Sequence, residues 1–310
     1  MDALGALLSG PRAQDAFLLR AVLEPPWSIR IEDEAPLTVV TMVSGTAWLA
    51  PEGGEPTSLG PGDVLVALGP EPYTMADSPD TPVQTIIHPD QRCTTLYGEE
   101  LADKLSLGVR SWGNGADGGT VMLIGTYQLA GEVSRRLLAA LPRCLVLHAD
   151  EWDCPVTGLL TSEIGRDEPG QEAVLDRMLD LLLISALRAW FARPGTAAPS
   201  WYRANADPVV GRALRLIHNN PEHPWTVAEL AATTGLSRAA LARRFAALVG
   251  EPPMAYLTGW RIALAADLLH EPGATLESVA RQVGYSTPFA LSTAFKRIRG
   301  VSPAEHRRAS

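Results

Sequence analysis

The sequence predicts an α+β protein in which an N-terminal β-barrel or sandwich, ending in helices of its own, precedes an all-α domain. Between residues 29 and 87, short apolar runs rich in Val, Ile, Thr and Trp alternate with Gly and Pro clusters about every 8–12 residues, which is typical of all-β barrels and sandwiches. Between Thr226 and Pro303, one pattern of capped helices occurs twice. A chain of 310 residues is long enough for two domains with separate cores.

The predicted strands of the first domain lie in the apolar runs between Ile29 and Ile87. A further strand is expected at Thr120–Leu129, where an apolar run (TVMLIGTYQL) returns. The residues between them, Gly98–Gly119, are polar and contain several glycines, so they predict a long loop.

After the strands, residues 171–191 change to a helical pattern whose apolar residues nearly encircle the helix, so burial on more than one side is expected. Two interpretations stay open: a core helix within the domain, or a homodimer surface at residues 171–193. One helix can serve both. A stretch rich in Pro, Gly, Ala and Ser follows and is typical of a linker. The predicted domains are therefore 1–194 and 207–310, joined by a linker at 195–206.

Composition excludes a membrane or secreted protein. The most apolar segment, Val174–Phe191, carries four charged residues and is therefore no membrane span. The chain does not open with a charged region followed by an apolar one, as a secretory signal does. Three cysteines are too few for a disulfide framework, and an odd number cannot all pair with one another. A cytoplasmic protein with no membrane partner is expected.

The charge is divided unequally along the chain, whose net charge is −9. Residues 1–206 carry 14 Lys and Arg against 27 Asp and Glu, whereas residues 207–310 carry 12 against 8. Phosphate groups are attracted by basic surfaces, so the last third of the chain is the part suited to nucleic acid.

The doubled pattern in that last third predicts two helix-turn-helix motifs, at about 226–249 and 275–298. In the first copy, Thr226 and Glu229 have the spacing of a capping box, and Gly235 supplies the left-handed residue of the turn. Thr275 and Gly284 repeat this arrangement. Gly-terminated helix pairs are common, but two in register in a basic domain predict a DNA-binding unit. The alternative is an α-helical protein-interaction repeat.

The second helix of the first motif begins after Ser237 and is expected to bury Ala240, Leu241, Phe245 and Leu248. Arg in a recognition helix donates two hydrogen bonds to guanine, and Ala packs on a thymine methyl, so this helix can read the major groove. Arg243 is the first choice for a base contact. The residues expected to point outward are Arg238, Ala239, Ala242, Arg243 and Arg244.

The equivalent helix of the second motif is capped by Thr287, with Pro288 in its first turn. It is poorer in Arg, so we expect phosphate contacts through Lys296 and Arg297 more than base readout. The pair then consists of one specific reader and one weaker anchor. The residues expected to be accessible are Phe289, Ser292, Thr293, Lys296 and Arg297.

A long helix at about Met254–Leu269 joins the two motifs. A helix of about 16 residues spans roughly 24 Å. It can hold two recognition helices near one DNA turn apart, about 34 Å, in adjacent major grooves.

Residues 207–308 resemble the AraC/XylS family of bacterial transcription regulators. The resemblance rests on WTVAELAATTGLSRAALARRF, GEPPMAYLTGWRIALAADLL and VARQVGYSTPFALSTAFKRIRGVSPAEHRR. The N-terminal part is similar to the cupin-type sensor domain of one branch of that family, through PPWSIRI, MVSGTAWLA, LGPGDVLVAL and EAVLDRMLDLLLISALRAWF. This resemblance implies a dimerising regulator whose partners are double-stranded promoter DNA, RNA polymerase and a small-molecule effector.

The chain departs from the family pattern at three positions. Thr293 stands where the family commonly has Arg in the second recognition helix, while Val40 and Tyr73 stand where the sensor branch often has His. A cupin-type enzyme, the alternative from another class, needs about three His and a carboxylate converging on a metal. Neither a metal nor another cofactor is expected.

Two possible sensing sites remain in the first domain. Trp27, Trp48, Tyr73 and Trp112 are candidates to line an apolar effector pocket, although aromatic residues in a β-sandwich are more often plain core. The other possibility is a redox sensor built on Cys93, Cys144 or Cys154. Cys144, His148, Asp150 and Cys154 could also hold zinc, but their spacing matches no familiar finger.

Overall fold

Two units make up the chain in the computed structural model, which describes residues 17–108, 110–115, 118–127, 138, 141–152, 154–166, 168–193 and 198–308. A sheet-rich unit contains the described residues 17–127 and 141–193, and a helical unit contains residues 198–308. This arrangement confirms the predicted α+β class.

The described part of the sheet-rich unit contains two β-sheets. One has the strand order β10-β11-β1-β12-β3-β6-β13, and the other has the order β5-β4-β7-β2-β8-β9. The strands are β1 (Phe17–Leu23), β2 (Ser28–Ile31), β3 (Leu37–Ser44), β4 (Ala47–Pro51), β5 (Thr57–Leu59), β6 (Val64–Ala67), β7 (Tyr73–Ala76), β8 (Thr85–Ile87), β9 (Cys93–Thr95), β10 (Ser106–Gly108), β11 (Ser111–Gly113), β12 (Thr120–Tyr127) and β13 (Cys144–Leu147).

Apolar side chains from both sheets form one core. Val40 and Met42 of β3 and Met122 of β12 meet Ile29 of β2 and Met75 of β7 in a single buried cluster. The two sheets stay separate and do not close on each other. The sandwich form of the prediction therefore describes this unit, because the core is packed between two sheets.

The loop predicted at Gly98–Gly119 is wrong in part, because two strands lie within it. β11 pairs in parallel with β1, and β10 pairs with β11. A Cβ atom at Gly113 would lie 1.7 Å from the carbonyl oxygen of Val22, so only glycine allows β11 to approach β1 this closely. All three residues of β10 are exposed, so no apolar alternation marks this strand in the sequence. The predicted strand at Thr120–Leu129 is observed as β12, and its last two residues lie outside the described part.

In its described part, the sheet-rich unit also contains two helices, α1 (Val156–Glu163) and α2 (Gln171–Ala192), which pack on each other. Helix α2 buries Leu175, Leu179, Leu183 and Leu187, among others, whereas Leu181 remains 50% exposed. Within the unit, α2 is therefore buried on one broad side only, and the prediction of burial on more than one side is not met there. No helix in the described ranges is long and apolar enough to span a bilayer.

The helical unit consists of eight helices over residues 198–308. They are α3 (Ser200–Ala204), α4 (Val210–Asn219), α5 (Val227–Thr234), α6 (Arg238–Val249), α7 (Pro253–Leu268), α8 (Leu276–Gln282), α9 (Pro288–Arg299) and α10 (Pro303–Arg308). Helix α3 lies inside the range 195–206 predicted as a linker. It packs on α6, where the Ser200 hydroxyl donates a hydrogen bond of 2.7 Å to the carbonyl oxygen of Val249.

The N-caps and turns of both helix pairs are those that their sequences predict, but the capping box predicted for the first copy is incomplete. Thr226 accepts a hydrogen bond from the N–H of Glu229, and Gly235 has a φ of +75° at the end of α5. In the second copy, the capping box is complete, because Thr275 and Ser278 each accept from the other's backbone N–H. In the first copy, the Glu229 carboxylate is instead bonded to His223 at 2.7 Å. Each motif is therefore a helix-turn-helix.

Candidate nucleic-acid interface and ligand cavity

Helix α6 is positioned by its N-cap and its buried face. The Ser237 hydroxyl accepts a hydrogen bond of 3.2 Å from the N–H of Ala240. Leu241 and Phe245 are fully buried, and Val249 continues this face at 7% exposure. The prediction that Leu248 lies inside is wrong, since it is 38% exposed. A step of four residues from Phe245 leads to Val249, which follows the helical repeat.

The predicted readers of α6 fall into three groups. Arg238, Ala239 and Arg243 are exposed, and Ala242 is half-buried on the same side. Arg244 is exposed too, but its guanidinium donates to Asp207 Oδ2 from Nε at 3.0 Å and from Nη2 at 2.5 Å. The prediction that Arg244 is an available reader is therefore not supported by its contacts.

The Asp207 carboxylate also caps helix α4. Its Oδ1 accepts hydrogen bonds from the N–H groups of Val209 and Val210. Desolvation by burial acts to raise the pKa of Asp207, but these N–H groups and Arg244 outweigh it and hold the pKa below its ordinary value. Arg244 thus stabilises the contact between α6 and α4.

Helix α9 presents its predicted residues outward. Thr287 accepts a hydrogen bond from the N–H of Ala290, and Pro288 occupies the first turn. Its inner face consists of Leu291, Ala294 and Phe295. Ser292 is half-buried. The other predicted residues, Phe289, Thr293, Lys296 and Arg297, are exposed.

Helix α7 holds the two motifs together within the helical unit. Its 16 residues match the predicted connecting helix. Ile262, Ala265 and Ala266 belong to the core cluster that contains Leu291 and Phe295 of the second motif. On the side of the first motif, Tyr256 packs against Phe245 with ring centroids 5.8 Å apart. One buried helix therefore serves as the scaffold for both helix-turn-helix motifs.

Arg261 of α7 is a connecting residue that the sequence pattern did not reveal. Its guanidinium donates hydrogen bonds to the carbonyl oxygens of Pro221 at 2.6 Å and His223 at 2.8 Å. It also lies over the ring of Tyr285, 5.8 Å from the centroid. Arg261 therefore connects the loop before the first motif and the turn of the second motif to α7. The available signal in the sequence was a charged residue in a helix that is mostly apolar.

A cavity of about 400 Å³ lies between the two sheets of the first unit. Its wall is mostly apolar, and the polar exceptions include Asp33, Gln91 and Arg110. Tyr73 and Trp112 belong to the lining, whereas Trp27 and Trp48 do not. Trp27 is a core residue, 2% exposed. Half of the predicted aromatic set is thus brought together at the cavity.

Comparisons with known proteins agree with both units. A family model described as Cupin matches residues 2–192, and a helix-turn-helix domain model matches residues 230–309. A putative AraC-like transcription regulator of Streptomyces lividans is 32% identical over 99% of this chain and 98% of its own length. This chain belongs to the AraC family of transcription regulators.

Two further AraC-type proteins are similar to this chain. The regulator AlkR of Acinetobacter baylyi is 27% identical over the full length of both chains. The DNA-binding domain of AdpA, solved in complex with a target DNA, is 33% identical and covers 33% of this chain and 92% of that one, with a TM-score of 0.31. The two family models and the Streptomyces lividans relative confirm the resemblance to the AraC family, with its cupin-type first domain. The protein is a DNA-binding transcription regulator.

The three cysteines of this AraC-family regulator are free. Cys93 is 4% exposed and lines the cavity. Burial, assisted by the charge of Glu100, raises the pKa of its thiol to about 11. Burial also raises the pKa of Cys144. The thiolate is the reactive form, so these environments disfavour thiol chemistry at neutral pH.

His148, a member of the predicted Cys-His-Asp-Cys group, is hydrogen-bonded to a residue outside that group. Its Nδ1 lies 2.9 Å from Asp63 Oδ2, in the turn before β6. Asp63 also accepts hydrogen bonds from the N–H groups of Gly60 and Ala149. Across the described ranges, the His, Cys, Asp and Glu side chains form no group of three that could hold a metal.

Proposed function

We propose that this AraC-family regulator binds promoter DNA as a homodimer and that a small molecule in the cavity of the cupin-like unit controls this binding. The observation that carries the proposal is the presence, in one chain, of a mostly apolar cavity in the first unit and two exposed recognition helices in the second. We place the protein in the cytoplasm, with RNA polymerase as its partner at the promoter.

The base readout is assigned first to α6. Arg243 is exposed on the face that also presents Arg238 and Ala239. Arg244 is excluded from this role because its guanidinium is bonded to Asp207. Lys296 and Arg297 stand in the last turn of α9 and are suited to phosphate contacts.

The lining of the cavity supports a largely apolar effector. Ile29, Val40, Met75 and Met122 contribute to its wall. Pockets of this size, within about 300–1,000 Å³, hold small molecules, and a few polar groups orient them. Arg110, Gln91 and Asp33 are such groups here.

The backbone near these polar groups is strained. Among the described residues, the non-glycine positions with positive φ are Glu34, Gln91 and Arg110. Two of them line the cavity, and Glu34 follows the lining residue Asp33. Left-handed non-glycine residues cluster at functional sites, so this part of the cavity wall has the character of a binding site.

Helix α2 supports dimerisation. Val174 is 40% exposed and Leu181 50% exposed, seven residues apart and therefore on one side of the helix. Leu159 of the adjacent α1 is 55% exposed. A second copy of the chain would bury these aliphatic groups. The core role and the dimer role of residues 171–193 are thus carried by different sides of α2.

The alternatives receive less support. The described cavity lining contains no histidine, whereas a cupin-type metal enzyme needs several as ligands. The relatives that share this chain's length are transcription regulators. A redox sensor needs a readily ionised thiol, and the raised pKa values of Cys93 and Cys144 oppose this.

Selection of bound sequences from a random DNA library by the full chain tests the DNA-binding part of the proposal. We expect enrichment of a site with two half-sites, as a dimer requires, each with two recognition segments. The coupling is tested by comparing the full chain with residues 198–310. Equal affinity and equal half-site spacing for the two proteins would refute control by the first unit.

A further inference from the structure

We infer that the second recognition helix, α9, reads thymine through its C5-methyl group and that Phe289 is the side chain that makes this contact. This inference rests on the proposed contact of both recognition helices with promoter DNA. It replaces the expectation of a weak phosphate anchor with a specific apolar reader.

Phe289 is an exposed aromatic residue at the start of a recognition helix. It is 82% exposed, although a ring of this size gains from leaving water. Thr287 caps the helix through the N–H of Ala290, and Pro288 occupies its first turn. These two residues fix the backbone of the turn that carries the ring. Base contacts of a helix-turn-helix come mainly from the N-terminal part of its second helix.

Thr293 extends the apolar surface by one turn. Its hydroxyl donates a hydrogen bond of 2.9 Å to the carbonyl oxygen of Phe289. The hydroxyl is therefore engaged by the helix backbone, and the methyl group is what the exposed Thr293 side chain offers a base. Phe289 and Thr293, four residues apart, form one stripe. Lys296 follows on the same side and supplies a positive charge for the backbone.

The two recognition helices place opposite chemistry at equivalent positions. Ser237 and Thr287 are the N-caps, and each accepts from the N–H of the residue three positions later. Counting from these caps, Phe289 corresponds to Ala239 and Thr293 corresponds to Arg243. At one position, α6 therefore has the guanidinium of Arg243 and α9 has the methyl group of Thr293. At the other, α6 has the methyl group of Ala239 and α9 has the ring of Phe289.

This chemistry selects one base. In the major groove, thymine alone among the four standard bases carries a methyl group, and Phe and Thr methyl contacts recognise it. Guanine needs hydrogen-bond donors, which the stripe of Phe289 and Thr293 lacks. We therefore assign guanine readout to α6 and thymine readout to α9.

The test replaces individual thymines by deoxyuridine in the DNA selected by the full chain. Uracil keeps the pairing of thymine but lacks its methyl group. Burial of one methyl corresponds to about 0.8 kcal/mol, so one replacement within the α9 segment is expected to weaken binding about fourfold. Phe289→Ala is expected to bind the thymine site more weakly and to lose this sensitivity to uracil. Arg243→Ala is the matched variant and retains the sensitivity in the α9 segment.

Four outcomes are informative. Loss of the uracil effect in Phe289→Ala alone supports the inference. Sequence-specific binding that tolerates uracil throughout the α9 segment overturns it while leaving the DNA-binding function intact. The same uracil effect in Phe289→Ala and the parent also overturns it. Absence of sequence-specific binding by the parent chain refutes the proposed promoter contact instead. Thermal unfolding is compared in parallel, and an exposed residue such as Phe289 is expected to leave it unchanged.

Discussion

The Arg244 guanidinium binds the Asp207 carboxylate and thereby joins the recognition helix α6 to the beginning of α4. The two donors lie 3.0 Å and 2.5 Å from Asp207 Oδ2. Two adjacent arginines of α6 therefore have different roles. Arg243 is exposed to solvent, and Arg244 joins α6 to the start of α4.

Replacing Arg244 by Ala is expected to destabilise the helical unit by up to about 1 kcal/mol, the range of partly exposed ion pairs. Any loss of DNA affinity should be the same for specific and random DNA, because the helix is less well held. Chemical denaturation and binding to both kinds of DNA measure the two effects. A selective loss on specific DNA would show that Arg244 contacts a base.

Replacing Arg243 by Ala is expected to relax sequence preference, at a cost of about 1–3 kcal/mol on specific DNA. Lys296→Ala should lower affinity evenly across sequences and reduce the salt dependence of binding, because a phosphate contact is removed. Titrations at several salt concentrations distinguish the two variants. Equal losses on specific and random DNA for Arg243→Ala would contradict its assignment.

The Asp63–His148 pair predicts loss of stability in acid. Burial acts to raise the pKa of Asp63, but hydrogen bonds from the Gly60 N–H, His148 and the Ala149 N–H lower it below the ordinary value. A carboxylate with a lowered folded-state pKa stabilises fully above the unfolded value of about 3.9. This contribution disappears as the pH falls through the folded pKa.

The corresponding variant is Asp63→Asn. At pH 7 its free energy of unfolding should be about 1 kcal/mol lower than that of the parent. It should therefore unfold at a lower denaturant concentration. The difference should narrow below about pH 4, where Asp63 of the parent becomes protonated. Denaturation curves at pH 7 and pH 3 measure it. A difference that stays constant over this range would show that the Asp63 charge contributes nothing.

The exposed side of α2 predicts an effect of charge on assembly. Leu181→Arg should shift the full chain from dimer to monomer in sedimentation velocity, because the arginine would have to be buried in the interface. Leu96→Arg, at a position 56% exposed in the same unit, is the matched control and should leave the assembly unchanged. If both variants sediment like the parent, α2 is not the interface.

Cys93 is expected to react slowly with a thiol reagent. With a pKa of about 11, the rate should rise about tenfold per pH unit between pH 7 and pH 10, since only the thiolate reacts. A full-length variant with Cys144→Ala and Cys154→Ala isolates this thiol. A fast reaction at pH 7 would instead favour the redox-sensing alternative.

Local features of the helical unit follow from the sequence. N-caps such as Thr226 and Ser237 act within three residues, and the buried faces repeat with the helical period, so the chain by itself determines both helix-turn-helix motifs. The helix that contains Leu248 was predicted correctly, but its buried face was placed one residue too early, at Leu248 instead of Val249. The division of charge along the chain also follows from composition alone.

The tertiary structure decided what depends on residues far apart in the chain. Asp207 and Arg244 are separated by 37 residues, and no periodic pattern connects them. Strand β10 pairs with β11 although all three of its residues are exposed, so no apolar pattern predicts it. Tyr73 and Trp112 reach the cavity while Trp27 is buried in the core, because sheet packing determines which side of each strand faces the space. The sequence determined the helices of both motifs and their N-caps, whereas long-range packing determined which of their side chains are exposed and which side chains of the first unit line the cavity.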